Sequence, residues 1–562
     1  MKGYAIIFIV IAFVLVAWLL GLRDKWAAKK AFLEAVKDKY GKAPENKYRE
    51  NDFEHIAGYY RNHRDGFSID DITWNDLNMD SVYKRMNYCY SAAGEEYLYY
   101  MLRTPKQSDD FESFEKQVKF ISENDEFRRN LQLTFYNIGK SSRYSIYDYL
   151  DYLKNVKQSS NFFHYIMLLL LAAAVGIMFF YFTVGFVLIL ILMTVQIVSY
   201  FRIKSEIEPF LVTYNYVMRV IQSVDGIIAI KEESFREDVK ELGRLKKDFA
   251  AFRAGASILL SPTRMNSGGN PVDLLLDYIR MITHLDIIKF NLMYVQLMEK
   301  RDRLDRMLTI IGSIEAGVSA ACFRASFEGK YCVPVFEGDS YKAKGLIHPL
   351  LEKPVDNDIE TVRGVLLTGS NASGKSTFLK TCAINALLAQ SVHTVLGQSY
   401  NAPFFRIYSS MALKDDILEG DSYYIVEIKS IKRIIDAAMA EGAKVLCFVD
   451  EVLRGTNTLE RIAASTQILS KLADEKVMCF AATHDIELTS LLDDKYDICH
   501  FEGDIEENDV RFDYKLKKGP ATTRNAIRLL AALGYDESIV NDAQKMADNF
   551  QKNGTWEKSC GL

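Results

Sequence analysis

No two of the eight cysteines (Cys89, Cys322, Cys332, Cys382, Cys447, Cys479, Cys499, Cys560) stand at a C-x-x-C spacing, so the sequence offers neither a zinc ribbon nor a thioredoxin-like redox pair. They read as reduced thiols of a cytosolic compartment rather than as a disulfide set. Excess positive charge is also missing: 69 Lys and Arg against 74 Asp and Glu leave a formal net charge of −5. That gives no global attraction to nucleic acid, and any DNA contact needs a local basic patch. Charge of either sign is absent from residues 4–22, and no Asp, Glu, Lys or Arg occurs among the forty residues 162–201. The rest, in a chain that is 49% hydrophobic and 25% charged, has the make-up of a folded protein. Its 562 residues suggest three or four structural units.

At a rise of about 1.5 Å per residue, the uncharged residues 4–22 cross a hydrocarbon core of about 30 Å. The competing reading is a cleaved signal peptide. The apolar part is long for one, and Arg23, Asp24, Lys25 and Trp26 follow it instead of a small-residue cleavage site. The run 162–201 is too long for one span and fits two, which predicts a helical hairpin turning near Tyr181 to Gly185, with a buried soluble helix pair as the alternative. Arg23, Lys25, Lys29 and Lys30 outweigh Lys2, while Lys154 and Lys157 precede the hairpin and Arg202 and Lys204 follow it. The positive-inside rule then predicts a multi-pass protein in the lipid bilayer, its N-terminus outside and the rest of the chain cytoplasmic.

The soluble sequence divides by pattern. Residues 31–160 and 203–330 are mainly helical, and the stretch 70–105 fits amphipathic helices joined by a turn at Gly94. Mixed charge around 231–253 and 300–306 suits solvated or helix-paired faces better than a nucleic-acid stripe, and SPTRMNSGGNP (261–271) separates two helical sections. Beyond about residue 331, strands alternate with helices, the pattern of an α/β nucleotide-binding domain.

Within that domain residues 369–376 read GSNASGKS. The apolar run Val365, Leu366, Leu367 precedes this turn and a helix-compatible stretch to Gln390 follows it. Strand, glycine-rich turn and helix aim successive backbone N–H groups and a helix N-terminus at one point, as a di- or triphosphate requires. Gly369, Ser370, Asn371, Ala372, Ser373, Gly374, Lys375, Ser376 and Thr377 are therefore the candidate nucleotide-binding residues, with Lys375 on the outer phosphates and the Ser376 hydroxyl on Mg2+. The buried-strand run Val445 to Val449 ends in Asp450 and Glu451, as a Walker B strand does. Asp450 is placed to hold Mg2+ and Glu451 to orient or deprotonate the attacking water. A further strand, Val477 to Ala482, ends in Thr483 and His484, whose ring is suited to the terminal phosphate or the water. Between these motifs Gly420, Asp421 and Ser422 precede an amphipathic helix, where Ser422 can cap and offer its hydroxyl to an anion.

These residues resemble the MutS ATPases of the ABC ATPase group. TGSNASGKSTFLK is similar to that family's TGPNMGGKST phosphate loop, DEVLRGTNT (450–458) to DEIGRGTST, ATHDIELT (482–489) to ATHYFELT, and DDILEGDSYYIVE (415–427) to DDLASGRSTFMVE. More weakly, YCVPVF and IHPLL (331–336, 347–351) resemble the start of the family's ATPase domain, residues 70–105 the start of its helical core or lever, and 522–543 its C-terminal dimerisation helices. The resemblance implies an α/β P-loop ATPase domain of MutS/ABC type following an all-α lever/core domain. Added to this are the three transmembrane helices predicted from the uncharged runs. The expected order is an anchor (1–30), first core part (31–160), hairpin (161–202), second core part (203–330), ATPase domain (331–510) and dimerisation helices and tail (511–562). It implies ATP hydrolysis with Mg2+ in a homodimer, with Glu451 and His484 catalytic, Ser376 and Asp450 on the metal, and Ser422 reaching the nucleotide of the partner subunit.

The departures from the family pattern matter as much. Leu453 replaces a glycine, Asn401, Ala402 and Pro403 stand where the family has a V-P-A turn, and no aromatic residue lies between Glu352 and Thr361 to stack on adenine. A membrane anchor occupies the place of the mismatch-reading domain and its Phe-x-Glu wedge, so that domain is expected to be absent. Homology points to DNA mismatch repair. The expectation for this chain is a membrane-anchored MutS-like ATPase, with duplex DNA bound structurally through phosphate contacts if at all. The alternatives are an ABC-type remodelling or transport ATPase and a nucleotide-gated membrane scaffold. No small-molecule substrate other than ATP is indicated.

Overall fold

The computed structural model describes residues 2–49, 51–141, 144–154, 160–254, 278–370, 373–411, 423–454, 456–474, 476–506, 509–521, 527, 530–531 and 534–556. The expected loop at 261–271 lies outside them. The chain forms two compact units, Met1–Arg64 with Asn87–Tyr100 and Ser113–Cys322, and Asp65–Met86 with Met101–Glu112 and Phe323–Leu562.

The first unit is helical. Its core is a continuous cluster that includes Val118, Leu131, Phe135, Tyr214, Val217, Ile221, Phe290, Leu304, Ile311 and Ile314. The uncharged run forms two helices, Phe162–Phe180 and Phe182–Ile228, that turn at Tyr181, at the start of the expected interval. They pack on each other closely enough that a Cβ on Gly185 would stand 2.4 Å from the backbone of Met178. Hydropathy and length qualify both for a bilayer, as they do Arg301–Ala325, yet burial separates the three. The most apolar windows of the hairpin helices are 17% and 11% buried, whereas that of Arg301–Ala325 is 83% buried inside the protein. The last is thus a core helix. The first expected span lies in the helix Lys2–Lys39, where the side chains of residues 2–18 are outside the description.

The expected turn at Gly94 is not one: Gly94 lies in the first turn of the helix Ala92–Arg103. A Cβ there would sit 2.2 Å from Oε2 of Glu315, so the glycine is needed for close approach rather than for chain reversal. Glu315 reaches this helix N-terminus and accepts from the N–H groups of Tyr90 and Ser91 and from the Ser91 hydroxyl, satisfying donors a helix start leaves over. Glu96 is buried beside it and accepts from the Tyr59 N–H and the Ser145 hydroxyl at 2.9 and 2.8 Å. Burial pushes the Glu96 carboxyl up to about 8 and that of Glu315 up to about 7. At neutral pH Glu96 holds a proton for most of the time and Glu315 for about half of it, whereas both are ionised in the unfolded chain. Their contribution is complete below the ordinary carboxyl pKa and is lost as pH rises through 7 and 8. The Glu96 share lost between pH 6 and 8 is about 2–3 kcal/mol. The helical unit should therefore melt at lower temperature at pH 8 than at pH 6, and Glu96→Gln should flatten most of that slope in a differential-scanning measurement.

The second unit is built on a six-stranded sheet whose strands are β3 (Gly364–Thr368), β5 (Phe405–Ser410), β6 (Lys444–Asp450), β7 (Val477–Ala482), β8 (Tyr496–His500) and β9 (Lys517–Lys518). Their order is β9-β8-β3-β7-β6-β5. The first five are parallel and only β9 runs antiparallel. Strands β3, β6 and β7 read as apolar runs because they are buried almost throughout. A second, antiparallel sheet of order β2-β1-β4 comprises β1 (Tyr341–Leu346), β2 (Asn357–Thr361) and β4 (Ser399–Asn401). Residues 65–86, which carry the short helices Asp71–Asp76 and Met79–Met86, belong to this unit and pack against its edge strand β5. The buried Asp76 accepts from the Ser409 hydroxyl at 2.7 Å and the Met411 N–H at 2.9 Å, and the Thr73 hydroxyl accepts from the Ser409 N–H.

Candidate functional site

Parallel strands bring their carboxyl ends to one edge of a sheet, and the loops that leave them there form a common cleft. Strand β3 lies between β8 and β7, and β6 borders β7. The glycine-rich turn after β3 therefore opens beside the acids ending β6 and the histidine following β7. The Glu451 N–H donates to the Ala482 carbonyl and the Thr483 N–H to the Leu367 carbonyl, both at 2.9 Å, which ties the three loop bases together.

Backbone conformation demands the two glycines of the turn. Gly369 has φ +141° and a Cβ there would stand 2.5 Å from the Phe501 carbonyl oxygen, and Gly374 has φ +107°. From Gly374 the chain enters the helix Lys375–Val392. Lys375 is buried and its ammonium donates to the carbonyls of Gly369 and Ser370 at 2.7 and 3.0 Å. Burial lowers it to about 8, against the opposing pull of Asp450 and Glu451. The Ser373 hydroxyl is buried with no hydrogen-bond partner among the described residues, while Ser376 and Thr377 are exposed in the cleft. A helix N-terminus, an unpaired buried hydroxyl and a cation folded onto its own loop suit a polyphosphate. Asn371, Ala372 and Ser422 lie outside the described residues.

The acids form a compact cluster. His484 Nε2 is 2.7 Å from one Glu451 carboxylate oxygen, and Arg454 Nε is 2.5 Å from the other and within 3.9 Å of Asp450 through its NH2 group. Burial alone would push the Glu451 carboxyl up. The His484 bond and the charges of Arg454, His484 and Lys375 together outweigh it and hold the group below the usual carboxylate range. Among the described residues no group of three or more His, Cys, Asp or Glu side chains could hold a metal ion. Asp450 and Ser376 suit Mg2+ in the manner of a phosphate-bound ion, whose remaining ligands are phosphate oxygens and water.

The cleft measures about 910 Å³ and is lined by the turn, Asp450, Glu451, Arg454 and His484, and on another side by His348, Leu351, Val355 and Tyr514. Tyr514 brings an aromatic ring to this cleft from far along the chain, where the sequence between Glu352 and Thr361 has none. Its ring would lie 3.1 Å from a Cβ on Gly374. Its segment is strapped to β2: the Asn357 amide donates to the Tyr514 carbonyl at 3.0 Å, the Leu516 N–H donates back at 2.8 Å, and Lys515 pairs with Asp356 at 2.9 Å. No spacing rule predicts an aromatic so far along the chain. Arg454 was legible as part of DEVLRGTNT, but its ion pairs were not.

Residues 365–551 match the family model described as MutS domain V. Relatives include "DNA mismatch repair protein MutS" of Thermus thermophilus, 30% identical over 237 residues, or 41% of this chain and 29% of the relative. The protein of the same name from Thermus aquaticus is 31% identical over the same shares. "DNA mismatch repair protein MutS 2" of Haloarcula marismortui is 27% identical over 278 residues, 44% of this chain and 29% of the relative. The chain thus covers under a third of the length of these curated relatives.

Proposed function

We propose, from the premise that this chain carries the MutS domain V in residues 365–551 and is a MutS-family protein over that region, that it is a membrane-anchored ATPase. The observation that carries the ATPase reading is the convergence of the Gly369–Thr377 turn, Asp450, Glu451 and His484 on one cleft. Lys375 and the N–H groups at the start of its helix bind the phosphates, and Tyr514, whose ring lies beside Gly374, offers an aromatic face to the base. Ser376 and Asp450 would hold Mg2+, which supplies charge neutralisation on the phosphates when bound. Glu451 orients and accepts a proton from the attacking water once one of its oxygens leaves Arg454 or His484. Ser422, the residue before Tyr423 in the sequence, is assigned to the nucleotide of a second copy, which makes the working form a homodimer.

The membrane reading is supported by the hairpin 162–201, apolar on all sides and exposed along its length. It also fits the basic segment after residue 22, where Trp26 is exposed and Lys30 lies over its ring at 5.8 Å, an interfacial arrangement. In this reading the hairpin receives the nucleotide-driven motion. Structural DNA binding is a second reading, carried by the similarity to DNA mismatch repair proteins alone.

The test is Mg2+-dependent ATP hydrolysis by the full chain in detergent, with fluorescent-nucleotide binding alongside. Tyr514→Ala should weaken ATP binding about 5- to 100-fold, the range of a lost base–aromatic stack, with turnover at saturation little changed. Unchanged affinity would remove Tyr514 from base recognition. A gel shift with duplex DNA at low ionic strength decides the second reading, and no shift ends it.

A further inference from the structure

The segment that follows β6 has an unusual backbone. Glu451 has φ +60° and Leu453 φ +59°, left-handed conformations that cost a side-chain-bearing residue on the order of 1 kcal/mol or more each. A glycine would take such a conformation freely, but position 453 is a buried leucine. Something must hold the turn. The Arg454 side chain stands on its last residue, and its guanidinium reaches Glu451 only because the chain doubles back there.

The holding group comes from another element. Glu427, in the second turn of the helix Tyr423–Met439, is buried and directs its carboxylate at this backbone. One oxygen accepts from the Leu453 N–H at 2.6 Å and the other from the Arg454 N–H at 3.1 Å. Two consecutive N–H groups are thus gathered onto one carboxylate, the charge-assisted form of hydrogen bond that is shortest and strongest. Burial raises Glu427 while the two N–H groups oppose it. Glu427 is not itself among the cleft-lining residues; it touches the cleft residue Arg454 through that residue's backbone N–H.

We infer that Glu427 is a positioning residue: it ties the helix that begins beside Ser422 to the turn after β6, and so sets whether Arg454 clamps the Glu451 carboxylate. This rests on the ATPase reading for its consequence and on the described hydrogen bonds for its geometry. Displacement of the helix Tyr423–Met439 pulls on two backbone N–H groups, reorients Arg454 and frees one oxygen of Glu451. Glu427 touches neither nucleotide nor water in this scheme and acts only through the turn.

The split between kcat and KM, with rescue by the conservative variant, provides a readout that a merely structural residue would not give. In the full-length protein Glu427→Ala should lower kcat about 10- to 100-fold with KM for ATP within about threefold, because without the tether the turn relaxes and Glu451, itself at φ +60°, loses its placement along with Arg454. Glu427→Gln, which keeps one acceptor, should recover most of kcat. The double variant of Glu427→Ala with Arg454→Ala should change kcat by less than the two single changes combined, since both act through one turn. Hydrogen exchange of the peptide containing Leu453 and Arg454 is read in the same preparations and should quicken at least tenfold in Glu427→Ala and less in Glu427→Gln. If Glu427→Ala does not fold, Glu427→Gln carries both readouts. Changes in kcat that add fully in the double variant, or unchanged exchange at Leu453 and Arg454, overturn the inference. A wild-type protein without ATPase activity instead overturns the catalytic reading, and the exchange result then decides the tether by itself.

Discussion

Replacing Glu451 by glutamine should cut steady-state ATP turnover by about 10²- to 10⁴-fold, the range for loss of a positioned general base, and leave nucleotide binding intact. The substitution keeps the size of the side chain and one oxygen, so the contact with His484 at 2.7 Å has a donor–acceptor pair to rebuild it. It removes the charge that pairs with Arg454. Since the wild-type carboxyl is held below its ordinary range, wild-type kcat should be flat through neutral pH and fall only in acid, as the carboxylate takes up a proton and stops acting as a base. The variant should lack that limb. Binding measured by a fluorescent nucleotide and turnover by phosphate release separate the two effects: an equal loss of affinity would place Glu451 in binding, and near-normal kcat would remove it from water activation.

Side-specific labelling of the hairpin should give an all-or-none result. Tyr181 is exposed and forms the turn between Phe162–Phe180 and Phe182–Ile228, whereas Glu208 is exposed on the second of these helices beyond the uncharged run. A membrane-impermeant maleimide should therefore modify Tyr181→Cys in intact cells and Glu208→Cys only after permeabilisation. The natural thiols interfere little, because of the seven described cysteines, all free, six are buried and only Cys332 is partly exposed. Labelling of both positions from the same side, or extraction of the protein by alkaline carbonate, would end the membrane reading. The physical basis is the contrast in burial between these helices and Arg301–Ala325, since an apolar surface of that extent has no stable state in water without a cover.

Sequence reasoning reached the parts of this protein whose structure is local. The glycine-rich turn was readable because φ +141° at Gly369 and +107° at Gly374 need glycine, and the strand preceding Asp450 because a strand buried on both faces is an unbroken apolar run. The hairpin was readable from length and missing charge. Contacts between distant segments were not. Tyr514 reaches the cleft through a strap to Asn357, and Asp76 holds Met411 from far upstream. Neither pairing leaves a periodicity. Gly94 misled because a glycine that makes room for the Glu315 carboxylate and a glycine that reverses the chain look the same in one dimension. Leu453 was visible as a departure from the family motif, but that it occupies a left-handed backbone position only coordinates reveal.

The helix Phe182–Ile228 runs unbroken for 47 residues, about 70 Å at the standard rise. Its far portion, including Tyr214, Val217 and Ile221, is locked in the core of the helical unit. With that end fixed, a tilt of about 5° at Pro209, about 42 Å away along the helix, sweeps the Tyr181 end through about 4 Å, by the arithmetic of arc and radius. Pro209 interrupts the ladder partway along, where the missing N–H leaves the Ser205 carbonyl without its helical donor. Bending compliance is thus concentrated near one point of an otherwise stiff beam, just past the uncharged run. Deflection of the apolar arm can then occur by flexure at a single proline, while the aromatic packing around Tyr214 and Phe290 stays undisturbed.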